Sequence, residues 1–352
     1  MDDQYRAGPG APGEGATGQV TASQEADTAY GRQLLQATRP FASESVARSW
    51  WEFGSVLLLV VGTLTVAGLA SGWPLRAACS VLGALFMVRL FITYHDHMHG
   101  ALLRDSRLAA VLFRVYGWFA LVPAHSWQKS HNYHHGHVGR ISWDAIGAFP
   151  LVTTHMWHEA TPARRAQYRA TRHPLVLLFA YVTVFAFSIT LLPLLRDPRR
   201  HWDSALALLA HGGLIATLWV FGGFWTAWFA VLLPMAISSI LGGYLFFAQH
   251  SFKRMIVLSP EAWTFYRAAL VSSSYMRLGR VLQWFTGNIG YHHIHHLNVR
   301  IPFYRLQEAM AAIPELQSPI TTSLAPSEIL GCFRACLWDE SSQRMKSYHE
   351  AA

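Results

Sequence analysis

The chain has 352 residues, 52% of them hydrophobic and 13% aromatic, with 28 Lys and Arg against 20 Asp and Glu. Charged residues make up only 14%, against about 25% in a soluble globular domain, and mean hydropathy is positive. Composition therefore excludes a wholly disordered chain and an ordinary soluble enzyme, and points to a protein largely buried in lipid.

In chain order, residues 1–37 are rich in Gly, Ala and Gln without an apolar run that could form a signal-peptide core. They are expected to be a disordered tail, followed by one membrane domain over 38–340 and a short C-terminal tail over 341–352. Five segments approach the roughly 20 apolar residues that cross a bilayer: 53–72, 77–94, 174–195, 204–222 and 224–249. Arg89, in the second, is expected to snorkel to the interface. Nine Lys and Arg lie between Ala101 and His173, whereas the turn between the first two segments holds only Arg76. The positive-inside rule puts the long stretch in the cytosol. Arg196, Arg199 and Arg200 put the loop after 174–195 there too, so that segment should lie in the interface or dip in and return. Four crossings in two hairpins remain, and His250 then emerges on the cytosolic side with every other His cluster.

Segment 106–122 should be a helix along the headgroups, and 326–338 a short amphipathic helix with Ser327 as N-cap. Tryptophans 50, 51, 73, 118, 127, 143 and 202 read as an aromatic belt. Cys79, Cys332 and Cys336 are too few and too scattered for a disulfide framework or a thiolate zinc site.

Histidine is the anomaly, at 19 residues. Directly after the second segment comes HDHMHG, whose His95 and His99 share a helical face at i and i+4. HNYHH places His131, His134 and His135 at i, i+3 and i+4, and HHIHH repeats that spacing with His292, His295 and His296. With His250 these make nine imidazoles, too many for one tetrahedral ion and suited to two ions at four or five ligands each. Neutral imidazole suits iron, copper, zinc and nickel. Asp96 is the nearest carboxylate to steady a ligand from behind; His97, Gln249 and His293 are further candidates for that supporting role. His125 and His137 are read as supporting or structural, and isolated histidines such as His201, His211 and His349 as structural.

At these residues the chain resembles the integral-membrane fatty acid desaturases. That family's three boxes, HxxxH, HxxHH and HxxHH, match in order, spacing and position relative to the spans, and the family's further His at the end of the last span matches His250 in FFAQHSF. The string LQWFTGNIGYHHIHHLNVRIPFYRL is similar to bacterial desaturases of the delta-12 or omega-6 type. The resemblance implies an all-helical membrane fold with four spans and a cytosolic helical cap in a bacterial inner membrane. It also implies two iron ions, molecular oxygen as co-substrate, a fatty acyl lipid or thioester substrate and an external ferredoxin-like or cytochrome-type donor, with no nucleic acid. The shared HDxMHG string keeps carotenoid ketolation open, and hydroxylation or acetylenation by the same irons is a further alternative. A metal-binding membrane carrier is the non-enzymatic one.

Overall fold

The computed structural model describes residues 22–144 and 146–352. Among the described residues, four helices are long and apolar enough to span a bilayer: α2 (Val46–Leu69), α3 (Trp73–Met98), Trp202–Gly222 and Phe224–Ala248. They follow one another as two consecutive pairs, as expected from the sequence. α2 packs along α3, whereas Trp202–Gly222 meets its successor chiefly at the first turn, Phe224–Ala227, and the rest of that last helix packs on α3 and α2. Each boundary has a local cause. The Ser45 hydroxyl accepts from Arg48 N at 3.4 Å to cap α2, and Pro74 in the first turn of α3 suits a position that needs no amide donor. Gly100 stops the helix past His99 with φ +67°, a conformation that favours glycine; a Cβ there would meet the Arg300 guanidinium at 2.5 Å.

The segment 174–195 is not a straight span. Pro162–Leu178 and Tyr181–Arg196 meet at 117°, and Tyr181–Leu191 is wound as a π-helix. A second bent pair, α4 (Arg107–Phe119) and α5 (Ala124–Gly136), turns by 92° and brings the second His box beneath the first. Phe113 of α4 packs on Tyr94 of α3 in a buried aromatic layer. Next come α6 (Thr154–Glu159) and α7 (Pro162–Thr171), the latter capped by the Thr161 hydroxyl. The cap core gathers Ile294, Leu297, Phe303 and Leu306 around the third box.

Several expectations are corrected. Residues 1–21 of the expected tail lie outside the described residues, but Ala22–Thr38 forms helix α1. Its Leu34 is buried, Tyr30 meets Tyr266 edge-on at 5.8 Å, and Asn298 Nδ2 donates to Thr38 Oγ1 at 2.8 Å. A single leucine anchor with tertiary partners leaves little periodic signal in the sequence. Residues 341–352 are no free tail. Arg344–Lys346 (β5) pairs antiparallel with Leu337–Asp339 (β4), which pairs in parallel with Val152–Thr153 (β1). Tyr275–Arg277 (β2) with Thr321–Ser323 (β3) makes a second small sheet. Such two- and three-residue strands are too short for alternation to reveal. The C-terminal helix ends at Arg334, so Cys336 falls outside it, and Ala325 rather than Ser327 is its N-cap.

Arg89 does not snorkel. It is buried, with Nη2 2.5 Å from Glu52 Oε2, its other amine donating to the Trp284 carbonyl, and its guanidinium 4.3 Å from the Trp284 ring centre. Glu52 lies nearly two turns inside the other helix of the hairpin, and a buried cation with a carboxylate partner within reach has no reason to seek the interface.

Candidate metal centre

All nine imidazoles converge, in two groups. His95, His99, His131, His135 and His295 form one, and His134, His250, His292 and His296 the other; within each group the ligand atoms lie within 4.8 Å of one another. The boxes are shared between groups. In α5, His131 and His135 point to the first group and His134 to the second. In the helix His292–Leu297, His295 joins the first and its neighbours the second. A helical rotation of about 100° per residue turns adjacent positions toward different centres.

The Nε2 atoms of His250, His292 and His296 lie 2.8, 3.1 and 3.1 Å from one another. A hydrogen-bonded pair needs one donor and one acceptor, and each neutral Nε2 is one or the other, so a closed triangle must contain at least one like pair. A cation at its centre removes the conflict, because all three nitrogens then present lone pairs. Two nitrogens about 2.1 Å from an ion and at right angles would be about 3.0 Å apart, given ordinary metal–imidazole bond lengths, as these contacts are. In the other group His135 Nε2 lies 3.1 Å from His131 Nε2 and 3.3 Å from His295 Nε2, and His99 Nε2 is buried with no hydrogen-bond partner. These donor sets fit two transition-metal ions.

Burial holds these rings neutral, the state that binds metal. It pulls His250 down to about 4. His99, His131, His134, His135, His292, His295 and His296 are pushed well below the usual imidazole range by burial first and by neighbouring imidazoles second.

The supporting candidates divide. Asp96 is buried with Oδ1 3.0 Å from His95 Nδ1, while its Oδ2 accepts from Phe303 N at 2.6 Å. It both orients the His95 ring and ties the first box to the loop behind the third. His97 turns away, with Nδ1 3.0 Å from the Leu102 carbonyl and its ring stacked on Phe113. Gln249 Nε2 donates to Leu245 O at 2.8 Å, and His293 Nε2 lies 3.4 Å from Leu316 O; neither touches a clustered imidazole through these bonds. His211 is structural, between Phe119 O and the Tyr181 hydroxyl, and His125 and His137 join neither group.

Two contributors went unnoticed in the sequence. Ser272 O lies 3.2 Å from His250 Nδ1, a backbone acceptor that no side-chain pattern could reveal. Trp127, assigned above to the aromatic belt, is instead buried and stacked on His131 at 4.4 Å and 21°; its i−4 spacing from His131 was the available signal.

Comparison with known proteins agrees with this arrangement. The sequence profile of the fatty acid desaturase family matches residues 71–320, a range that includes all nine imidazoles. The chain is 30% identical over 322 residues to a fatty acid desaturase of Bacillus subtilis (strain 168), covering 90% of both proteins. It is 28% identical over 320 residues to a probable fatty acid desaturase, DES1, of Sorghum bicolor (81% of this chain, 76% of that one). It is 25% identical over 276 residues to an sn-1 acyl-lipid omega-3 desaturase (ferredoxin) of Nostoc sp. (strain 36) (73% and 72%).

Proposed function

The chain belongs to the fatty acid desaturase family, and from that premise we propose that it is an oxygen-dependent di-iron enzyme. It introduces a double bond into a long acyl chain carried on a lipid or thioester. The observation that carries this reading is the convergence of nine imidazoles, eight of them buried, into groups of five and four at one end of the membrane helices. Imidazole donors suit iron, copper, zinc and nickel, and of these only the redox-active ions could serve an oxygen-dependent oxidation.

Iron held there and reduced by an external donor supplies the oxidising power toward unactivated C–H bonds that no side chain can furnish. The chain's own residues do the rest. Asp96 accepts from His95 Nδ1 and so leaves Nε2 free as the metal-facing atom. Ser272 O does the same for His250. The surrounding layer of Trp127, Tyr94 and Phe91 keeps bulk water from the first group. Removing two hydrogens from adjacent methylenes while reducing one O2 to two waters takes two further electrons and two protons from outside the substrate. The Nostoc relative's name, an acyl-lipid desaturase with ferredoxin, supports a membrane-lipid substrate and an iron–sulfur donor here. The excess of Lys and Arg between residues 101 and 173 supports a site on the cytosolic face.

The test is gas chromatography with mass spectrometry of the fatty acids of a host expressing the chain, beside a His134→Ala control. A new species two mass units lighter than its precursor, absent with the control, is expected. A species sixteen units heavier would point to hydroxylation instead. A lighter species that persists in the control would remove the metal assignment.

A further inference from the structure

We propose that the cap carries a docking groove for a small acidic protein bearing a one-electron redox centre, built on Arg165, Arg169, Lys253 and Arg334, and that electrons enter at the four-imidazole group through His250. This rests on the reading of the histidine groups as a redox metal centre.

The surface is specific in charge. Helix α7 carries Arg164, Arg165 and Arg169 and no acidic residue, and Arg172 is its C-cap. Arg164 lies over Trp143 at 4.5 Å, and Arg169 over Trp157 at 5.0 Å and Tyr348 at 5.2 Å. Cations held on aromatic faces keep their charge available, and Arg165 Nε is buried without a partner. A cleft of about 490 Å³ runs along Arg165 and Arg169. A second of about 750 Å³ is lined by Tyr348, Lys253, Arg334 and His349, and the Arg169–Tyr348 contact lies between the two. The acid at that rim, Glu350, accepts from Ser347 N and Oγ, both at 2.8 Å, and lies 3.7 Å from Arg344. The groove therefore presents net positive charge to an approaching acidic face.

The second observation is a bonded route from this groove to a ligand. Ala335 and Cys336 line the second cleft. Ala335 O accepts from Arg172 Nη2 at 2.9 Å, and the same nitrogen donates to Ser251 Oγ at 3.0 Å. Ser251 follows His250, whose Nε2 faces the four-imidazole group. Every link is a covalent or hydrogen bond. Arg172 is buried with no carboxylate among these partners, a costly placement for a guanidinium that a joint between groove and site would explain. Lipid headgroups would also attract this charge, but they offer no reason for that connection. Each docking event moves one electron from carrier to site and makes or breaks no bond. Two events supply the electrons that the reaction requires.

The test uses the full chain in phosphatidylcholine nanodiscs with a plant-type [2Fe–2S] ferredoxin as probe. Wild type is compared with R165E/R169E and with R199E/R200E, which makes the same charge change on the exposed residues before the third span. Ferredoxin affinity, measured on metal-free protein, should fall at least tenfold in the first variant and less than twofold in the second. After iron loading, reduction by ferredoxin should slow at least tenfold in R165E/R169E, while reduction by dithionite proceeds equally in all three. S251A should bind ferredoxin normally and accept its electrons several-fold more slowly. Equal losses in both double variants, or unchanged ferredoxin binding alongside weaker association with phosphatidylglycerol vesicles, would overturn the groove. Unchanged electron transfer in S251A would overturn the route. If dithionite reduces no iron in the wild type, the metal reading fails instead, and the metal-free binding comparison still decides the groove.

Discussion

Asp96→Asn is the most informative single substitution. The carboxylate serves two donors at once, His95 Nδ1 at 3.0 Å and Phe303 N at 2.6 Å, and its residue is only 1% exposed. Asparagine is nearly isosteric but has one carbonyl oxygen, so its amine must face one of the two donors. A buried donor left without an acceptor costs about 1–3 kcal/mol. If His95 is the one deprived, its tautomer and ring angle loosen, and losing such a support weakens metal binding by roughly 10–100-fold, or about 1.4–2.8 kcal/mol at 1.4 kcal/mol per tenfold. If Phe303 is deprived, the same cost falls on the loop behind the third box and appears as lowered thermal stability. The assay is metal content per chain by mass spectrometry after equilibration with graded chelator, beside a thermal melt in detergent. One ion should leave at 10–100-fold lower chelator strength while the other stays, or the melt should fall. Two ions held as tightly as in wild type, with an unchanged melt, would refute the role assigned to Asp96.

Other expectations follow from the same structure. His250→Ala takes one imidazole from the group of four alone, so if the groups hold one ion each, metal content should drop from two ions toward one with the fold retained; equal loss of both would contradict the partition. Glu52→Ala should destabilise by roughly 3–5 kcal/mol, because it leaves the buried Arg89 guanidinium unpaired. Adding Arg89→Met should recover part of that loss in a thermal melt, and a double variant worse than Glu52→Ala would speak against the pairing. His293, outside both metal groups, is drawn down to about 4 by burial, from an ordinary 6.5. Above pH 6.5 both folded and unfolded chains leave it neutral; between about 6.5 and 4 only the unfolded chain takes the proton. It therefore lowers stability as pH falls through that window, by about 1.4 kcal/mol per pH unit. His293→Gln should flatten the acid limb of the melt of metal-free protein, and an unchanged slope would show that His293 does not titrate this way.

The sequence by itself determined the membrane class, the four spans to within seven residues at either end and the nine imidazoles, because hydropathy and i, i+3, i+4 spacing are local properties that survive without a partner. Asp96 was legible for the same reason, as the one carboxylate adjoining a box histidine. Only the tertiary structure decided that the boxes are shared five to four between two centres. Adjacent residues of one helix face different directions, and where each direction leads depends on the bends at α4–α5 and on the third box arriving from nearly 160 residues away. It alone paired Arg89 with Glu52 across a hairpin, paired Arg344–Lys346 with β4 at the edge of the sheet that includes β1, and turned Trp127 from the lipid boundary onto His131. Each of these depends on a partner distant in sequence, and burial removes the solvent that would otherwise make the local choice the better one.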